Sequence, residues 1–292
     1  MSSTPSRFED LERQVAELEG DPTTDDVVVD RRTWRAIRVH GGDAERWLND
    51  LLTAELAGLP IQGAARSLLL TPTGRIRADV HVYRRADDFV IVQDPAQPRA
   101  IDELLAPYVL SSDVELSPSP IGPICAPRAE GLQDGSTFAP SILGSGTDLL
   151  ADPGDADVGH SRTPISQLAV DIWRIRHGTP TFGVDLDEDS LPAEAGLDDP
   201  ARGVIDATKG CYLGQESVAK IRNFGHPQRA VVAMRADGAV DAGTPVDDSE
   251  KQVGLVTSSA SLPAGGRALI VRIRWGARDA DLKAAQVPLR HA

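Results

Sequence analysis

Ser67–Tyr83 reads S-L-L-L-T-P-T-G-R-I-R-A-D-V-H-V-Y, and the reading of the whole fold starts from it. An apolar run ends at the turn Pro72-Thr73-Gly74, after which Arg75, Arg77, Asp79 and His81 alternate with Ile76, Ala78, Val80 and Val82. A period of two places successive side chains on opposite faces of a strand, so the stretch is predicted to be a hairpin with one apolar and one polar face. The polar face is either a solvated outer surface or the lining of a cavity, and alternation alone favours the solvated surface.

Working outward, Asp43 is placed to cap a helix whose apolar positions Ala44, Trp47, Leu48, Leu51 and Leu52 follow the 3.6 period. A β-rich V-V-V segment precedes it. Downstream, Phe89–Gln93 (F-V-I-V-Q) reads as a buried strand, followed by a helix carrying Ile101, Leu104, Leu105 and Tyr108. Strands and helices mixed in this way indicate an α+β architecture. An N-terminal helix is expected over 8–19, with Phe8, Leu11, Val15 and Leu18 on one face and Gly20 and D-P-T-T-D-D as its stop. Residues 117–163 read as a loop-rich connection. Thr163-Pro164 is expected to open a helix with the face Ile165, Leu168, Ile172 and Ile175, halted by Gly178 and Pro180. The acidic stretch from Gly183 to Asp199 lacks the Gly and Glu placement of a calcium loop despite Asp185, Asp187 and Asp189, and reads as solvated. From Arg229 onward, R-A-V-V-A-M-R-A, Q-V-G-L-V-T-S and R-A-L-I-V-R-I-R-W indicate a small β barrel or sandwich. The expected division is an N-terminal extension (1–25), a core (26–227) and a C-terminal β domain (228–292).

The totals limit the partners. A chain of 292 residues with a formal charge of −14 is poorly suited to polyanions, which bind clustered Lys and Arg by counterion release. Neither nucleic acid nor an anionic membrane is expected as a partner. No apolar run reaches the ~20 residues of a membrane span, and the start lacks the basic-then-apolar order of a signal peptide. A cytoplasmic, monomeric protein is the resulting expectation. Cys125 and Cys211 form no C-x-x-C pair, so neither a disulfide framework nor a self-contained metal site is encoded.

One cysteine lies in the segment Lys209–Glu216, K-G-C-Y-L-G-Q-E. Gly210 and Gly214 flank it, and a short helix follows until Asn223-Phe224-Gly225 and Pro227 break it. A thiol just ahead of a helix N-terminus, with Lys209, Lys220, Arg222 and Arg229 about it, favours the thiolate. The bland alternative is a small buried apolar residue, and the spacing leaves both open. His226 reads as a loop histidine rather than a base, and the G-K-[ST] of a phosphate loop is missing. Cys125, in G-P-I-C-A-P-R, reads as packing; Trp47 and Trp173 read as core anchors.

K-G-C-Y-x-G-Q-E, followed by V-A-K-I and G-H-P-Q-R, resembles the signature of the YgfZ-type folate-binding proteins, relatives of the aminomethyltransferase of the glycine cleavage system. E-R-W-L-N-D-L-L-T, L-L-L-T-P-T-G-R-I-R-A-D-V-H-V-Y, L-A-P-Y-V-L-S-S-D-V-E-L, W-R-I-R-H-G-T-P-T-F-G-V-D-L and L-P-A-E-A-G-L extend the resemblance in order across about residues 28–275. It implies a three-domain ring of two intertwined α/β domains around a tetrahydrofolate channel, closed by a small C-terminal β barrel. It also implies a role in maintaining or assembling iron–sulfur enzymes, including those of tRNA thiolation. In that setting the stripe Arg75, Arg77, Asp79 and His81 faces the channel.

The chain departs from the transferase pattern at two places. Ala78 and Asp79 stand where paired carboxylates are expected, and Arg176 stands where a pterin-gripping glutamate would fall. Aminomethyl transfer is therefore disfavoured, since an arginine suits an anionic group better than an aminopterin edge. The resulting reading is a tetrahydrofolate-binding accessory protein with iron–sulfur enzymes as clients. Cys211, Lys209 and Asp79 are its candidate chemical groups. Arg75, Arg77, Asp79, Arg176, Tyr212, Gln215 and Glu216 are its candidate contacts to a folate-type small molecule. Lys209 would tune the thiol. One cysteine cannot hold a cluster alone, since such sites take about four ligands. The alternatives are a working folate-dependent aminomethyltransferase and a non-enzymatic scaffold that uses the channel as a partner groove.

Overall fold

The computed structural model describes residues 7–19, 27–127, 137–144, 146–155, 162–248 and 251–292. In chain order these form α1 (Arg7–Glu19), β1 (Val27–Asp30), β2 (Arg35–His40), α2 (Ala44–Leu51), β3 (Ala64–Leu70), β4 (Ile76–Arg84), β5 (Phe89–Gln93) and α3 (Ile101–Leu105). Next come β6 (Glu115–Pro118), β7 (Gly122–Ala126), β8 (Thr137–Phe138), β9 (Thr147–Ala151), β10 (Thr163–Pro164), α4 (Gln167–Arg176) and α5 (Gln215–Phe224). The chain closes with β11 (Arg229–Ala236), β12 (Pro245–Asp247), β13 (Gln252–Ser261), β14 (Arg267–Arg274), β15 (Lys283–Ala284) and β16 (Val287–His291). Two compact units result: one takes Met1–Asp21, Ile165–Gly196 and Phe224–Ala292, the other Pro22–Pro164 and Leu197–Asn223.

In the second unit the hairpin is the organising element. β3 and β4 pair antiparallel across the turn, with Arg66 opposite His81 and Leu68 opposite Asp79. They belong to a sheet of order β3-β4-β5-β2-β6. One face carries Ala78, Val80 and Val82 into a core with Leu48, Leu52, Ile91, Ile101 and Leu105, so α2 and α3 cover it. Leu48 and Leu52 are fully buried, and truncating either to Ala is expected to cost about 2–5 kcal/mol. The other face meets a second sheet of order β10-β1-β7-β9-β8. There Tyr83, Val90, Val92 and Phe138 pack together, with Tyr83 and Phe138 edge to face at 5.5 Å.

Several expectations change. Residues 117–163 are not simply a connection: β7 and β9 pair over five positions within them, and all of β7 is buried. Thr163-Pro164 does not open a helix; it is β10, parallel to β1. The cap of α4 is Ser166, whose side chain accepts from Ala169 N at 3.3 Å. This later start turns Ala169, Val170 and Ile175 inward and leaves Leu168 exposed. Asp43 does precede α2, but its side chain makes no capping bond; it accepts from Asp113 N instead. In α1, Val15 and Leu18 are buried as expected, whereas Phe8 is exposed. The Gly20 and D-P-T-T-D-D stop lies outside the described residues, as do 128–136 and 156–161 of the connection.

In the first unit the C-terminal strands close into a barrel of order β11-β14-β13-β12-β15-β16. Its interior holds Met234, Val246, Val256, Leu269, Val271 and Ile273, the inward half of each alternating strand. The acidic segment before it is not solvated throughout. Asp185 is fully buried and accepts from Arg174 Nη1 at 2.8 Å, Thr181 N at 2.9 Å, and the hydroxyls of Thr257 and Ser258, both at 2.6 Å. A buried carboxylate supplied with four donors is held in place, so it ties the loop after α4 to β13. Asp187 ties the same loop to β14 through Arg272 at 2.5 Å.

Candidate functional site

The loop from Val204 to Gly214 is fastened to the C-terminal end of α2. The last carbonyls of any helix lack intrahelical donors, and α2 has no basic residue in its last turn. Lys209 supplies the missing cation. Its Nζ donates to the carbonyls of Asn49 (2.8 Å), Leu52 (2.9 Å) and Ala54 (2.6 Å), matching three ammonium protons to three acceptors at the negative end of the helix dipole. Leu213 N adds a bond to Asp50 O at 3.1 Å, and the Thr53 hydroxyl donates to Val204 O at 2.8 Å. Asp206 turns the chain into the lysine by accepting from Thr208 N and Lys209 N. Burial pulls the Lys209 ammonium down to about 8, while Glu55, Asp206 and Asp50 oppose the shift.

The far end of the loop rests on the hairpin turn. Gly214 has φ +86°, and a Cβ there would lie 2.5 Å from Thr71 O. Gly74, at φ +78°, would likewise collide with Ser217 Cβ at 2.8 Å. The Ser217 hydroxyl donates to Pro72 O at 3.1 Å. These two glycines are therefore required by close approach, whereas Gly210 has open space around it.

Between these anchors Tyr212 is buried with its ring 5.6 Å from Lys209 Nζ, and burial raises its phenol. Cys211 is free and exposed. Gln215 and Glu216 open α5, with Glu216 exposed. The structure thus brings Cys211, Lys209 and Tyr212 together on one loop, with Gln215 and Glu216 at the start of the helix that follows it, against the turn that leads into the polar stripe. The expected use of Lys209 changes, because its ammonium protons go to the end of α2.

On the stripe itself, Asp79 is engaged by Arg66, which donates through Nε at 2.9 Å and Nη2 at 2.5 Å. Gln97 brackets the same residue by accepting from its N–H and donating to its carbonyl. The paired charge of Asp79 holds Arg66 above the usual arginine range against its burial. His81 is half-buried; burial first, then the charges of Arg66 and Arg31, hold its imidazole well below its usual range and therefore neutral. Arg77 is half-buried and Arg75 exposed, so the stripe is more than a solvated outer face. Arg66 and Gln97 were not among the expected residues. Folding the chain about Pro72–Gly74 would have placed Arg66 opposite His81 and one diagonal from Asp79.

Arg176 belongs to the other unit. It donates to Glu12 at 2.6 Å and, through Nε and Nη2, to Ser261 O at 2.9 and 2.5 Å. The side chain is 6% exposed. Its expected contact with a ligand is corrected: the guanidinium braces α1 and α4 against β13. Its neighbour His177 meets the end of α4 through Nδ1, 2.8 Å from Trp173 O. The residues singled out for tetrahydrofolate thus do not fit a pterin-gripping carboxylate. Arg176 has the wrong charge and is occupied, and Asp79 is held by Arg66. Among the described residues no group of three or more His, Cys, Asp or Glu is placed to hold a metal ion, and no helix is long and apolar enough to cross a membrane.

Residues 5–117 match the GCVT N-terminal domain. The chain is 28% identical over 274 residues to the mitochondrial iron–sulfur cluster assembly factor IBA57 of Homo sapiens, covering 80% of this chain and 76% of that protein. It is 24% identical over 269 residues to an aminomethyltransferase of Rubrobacter xylanophilus, covering 80% and 72%. Several other curated relatives are longer, and the chain spans 54% to 65% of their length. The glycine cleavage system aminomethyltransferase T of Bartonella henselae superposes with a TM-score of 0.78 at 18% identity, over 98% of this chain and 89% of that one. The chain has the α+β fold of the T-type aminomethyltransferases, with a closed six-stranded C-terminal β barrel.

Proposed function

We propose that the chain is a YgfZ-type accessory protein that supports the assembly or repair of iron–sulfur enzymes through the thiol of Cys211. The observation that carries this reading is the contrast along three residues. Cys211 is exposed, while Lys209 and Tyr212 on either side are 8% and 7% exposed. A loop anchored at both ends presents its thiol at low entropic cost and holds it in one place for a partner. The similarity to IBA57, named as an iron–sulfur cluster assembly factor, supports the same direction. Any cluster is cargo shared with a partner, since one thiolate supplies one ligand.

The test is complementation in cells lacking the protein, reading the activity of iron–sulfur enzymes. Cys211→Ser is expected to abolish support while Cys125→Ser retains it. Full support by Cys211→Ser would end the proposal. Tetrahydrofolate binding is a separate question, read by calorimetry and thermal shift on the purified chain.

An aminomethyltransferase reading draws on the similarity to the Rubrobacter enzyme. The Arg66–Asp79 pair speaks against it, because both carboxylate oxygens of Asp79 already accept from Arg66. Tetrahydrofolate-dependent ammonia release from an aminomethylated lipoyl carrier would restore it.

A further inference from the structure

Two adjacent arginines follow β1 and are treated oppositely by the fold. Arg32 is matched: it pairs with Asp30 at 2.7 Å and donates to the carbonyls of Asp152 and Asp155 at 3.1 and 2.8 Å. Arg31 is 5% exposed, yet its Nε has no hydrogen-bond partner. Among the described residues no carboxylate forms an ion pair with it. A buried Nε–H in that state carries an uncompensated desolvation cost.

Its position is fixed. The guanidinium carbon lies 4.0 Å from the centre of the Trp34 ring, and Trp34 packs on the cluster of Ala64, Tyr83, Val90, Val92 and Phe138 between the two sheets of this unit. Cation–π contact holds such a group by its face and leaves its N–H edge for another acceptor. The neighbouring charges are already spent. Arg66 belongs to Asp79. Asp148 accepts from the Tyr83 and Ser141 hydroxyls and from Ile142 N. His81, on the strand that also bears Tyr83, is held neutral by burial and by the charges of Arg66 and Arg31, so its ring can donate one N–H without adding charge.

We propose that Arg31 is a binding site for the oxyanion group of a small ligand, a carboxylate or a phosphate. An oxyanion supplies what the fold withholds: negative charge and lone pairs for Nε. In a chain of net charge −14 such affinity is local and would not arise from the overall field. The site is independent of Cys211 and stands or falls without the function proposed above.

The test uses the full chain with [15N]arginine labelling, titrated with sodium phosphate or sodium acetate at constant ionic strength set by chloride. One arginine Nε–Hε resonance, missing from the Arg31→Lys protein, is expected to shift saturably as the melting temperature rises. Arg31→Gln is expected to weaken binding about tenfold or more, while Arg32→Gln leaves it unchanged. Saturation by phosphate alone assigns a phosphoryl group; saturation by acetate alone assigns a carboxylate. If neither anion moves that wild-type resonance saturably, the site does not exist, whatever the variants do. Equal binding by a folded Arg31→Gln would also overturn it.

Discussion

The two cysteines of the chain occupy opposite physical settings within one unit. Cys125 sits in the middle of β7, fully buried, opposite Val29 on one side and Asp148 on the other. Burial first, then the adjacent Asp148 carboxyl, raises its thiol well above the usual range. Cys211 sits on the loop from Val204 to Gly214 and is exposed. Yet its loop is anchored on both sides of the thiol, through Lys209 and through Gly214. The difference teaches that accessibility of a thiol and rigidity of its backbone are set separately: the first by what covers the side chain, the second by where the neighbours are pinned.

The largest effect should come from labelling. A maleimide or disulfide reagent added to the native protein is expected to modify Cys211 quickly and Cys125 only through unfolding, about a thousandfold or more slower. Comparable rates would break the contrast. Next, Gly214→Ala forces a Cβ to within 2.5 Å of Thr71 O at a positive φ, with an expected loss of about 3 kcal/mol in denaturant unfolding. Gly210→Ala, in open space, should stay within about 0.5 kcal/mol; equal costs would show that the loop is not pinned at Gly214.

Lys209→Met should cost roughly 2 kcal/mol near neutral pH by stripping the end of α2 of its donor. The pH dependence has a definite sign. The lysine titrates at about 8 in the fold against 10.5 unfolded, so the unfolded chain binds more protons between those values. The stability of the wild type relative to the variant is expected to rise with pH across that window, the neutral amine keeping two donors for the carbonyls. A falling difference would show that the ammonium is stabilised by its cage. The smallest effect concerns the buried thiol. Asp148→Asn turns an amide group toward donors and should cost about 1–2 kcal/mol, leaving the labelling of Cys211 unchanged.

The hairpin, α2 and the C-terminal barrel were legible because each carries its period within ten or so residues, and one buried face enforces it. The second sheet was not. G-P-I-C-A is buried at every position and carries Gly and Pro, so it shows no alternation. Ser166 was overlooked as the cap of α4 because Thr163-Pro164 offered the same local signal three residues earlier. The cysteine loop was legible as a motif, but the use of Lys209 was not, since its acceptors lie 155 to 160 residues away and no local pattern reports them. Arg66 and Arg31 escaped for the same reason: only the pairing of strands reveals which charges are spent and which are left.

That long reach of Lys209 also bears on biosynthesis. The carbonyls that end α2 leave the ribosome well before the lysine that caps them, and a contact of such sequence separation forms late. Until residue 209 has been made and docked, the helix end keeps water as its partner and Cys211 has no fixed address. The thiol therefore gains its fixed position only after the lysine two residues before it has met a helix made much earlier, so the order of synthesis delays its placement.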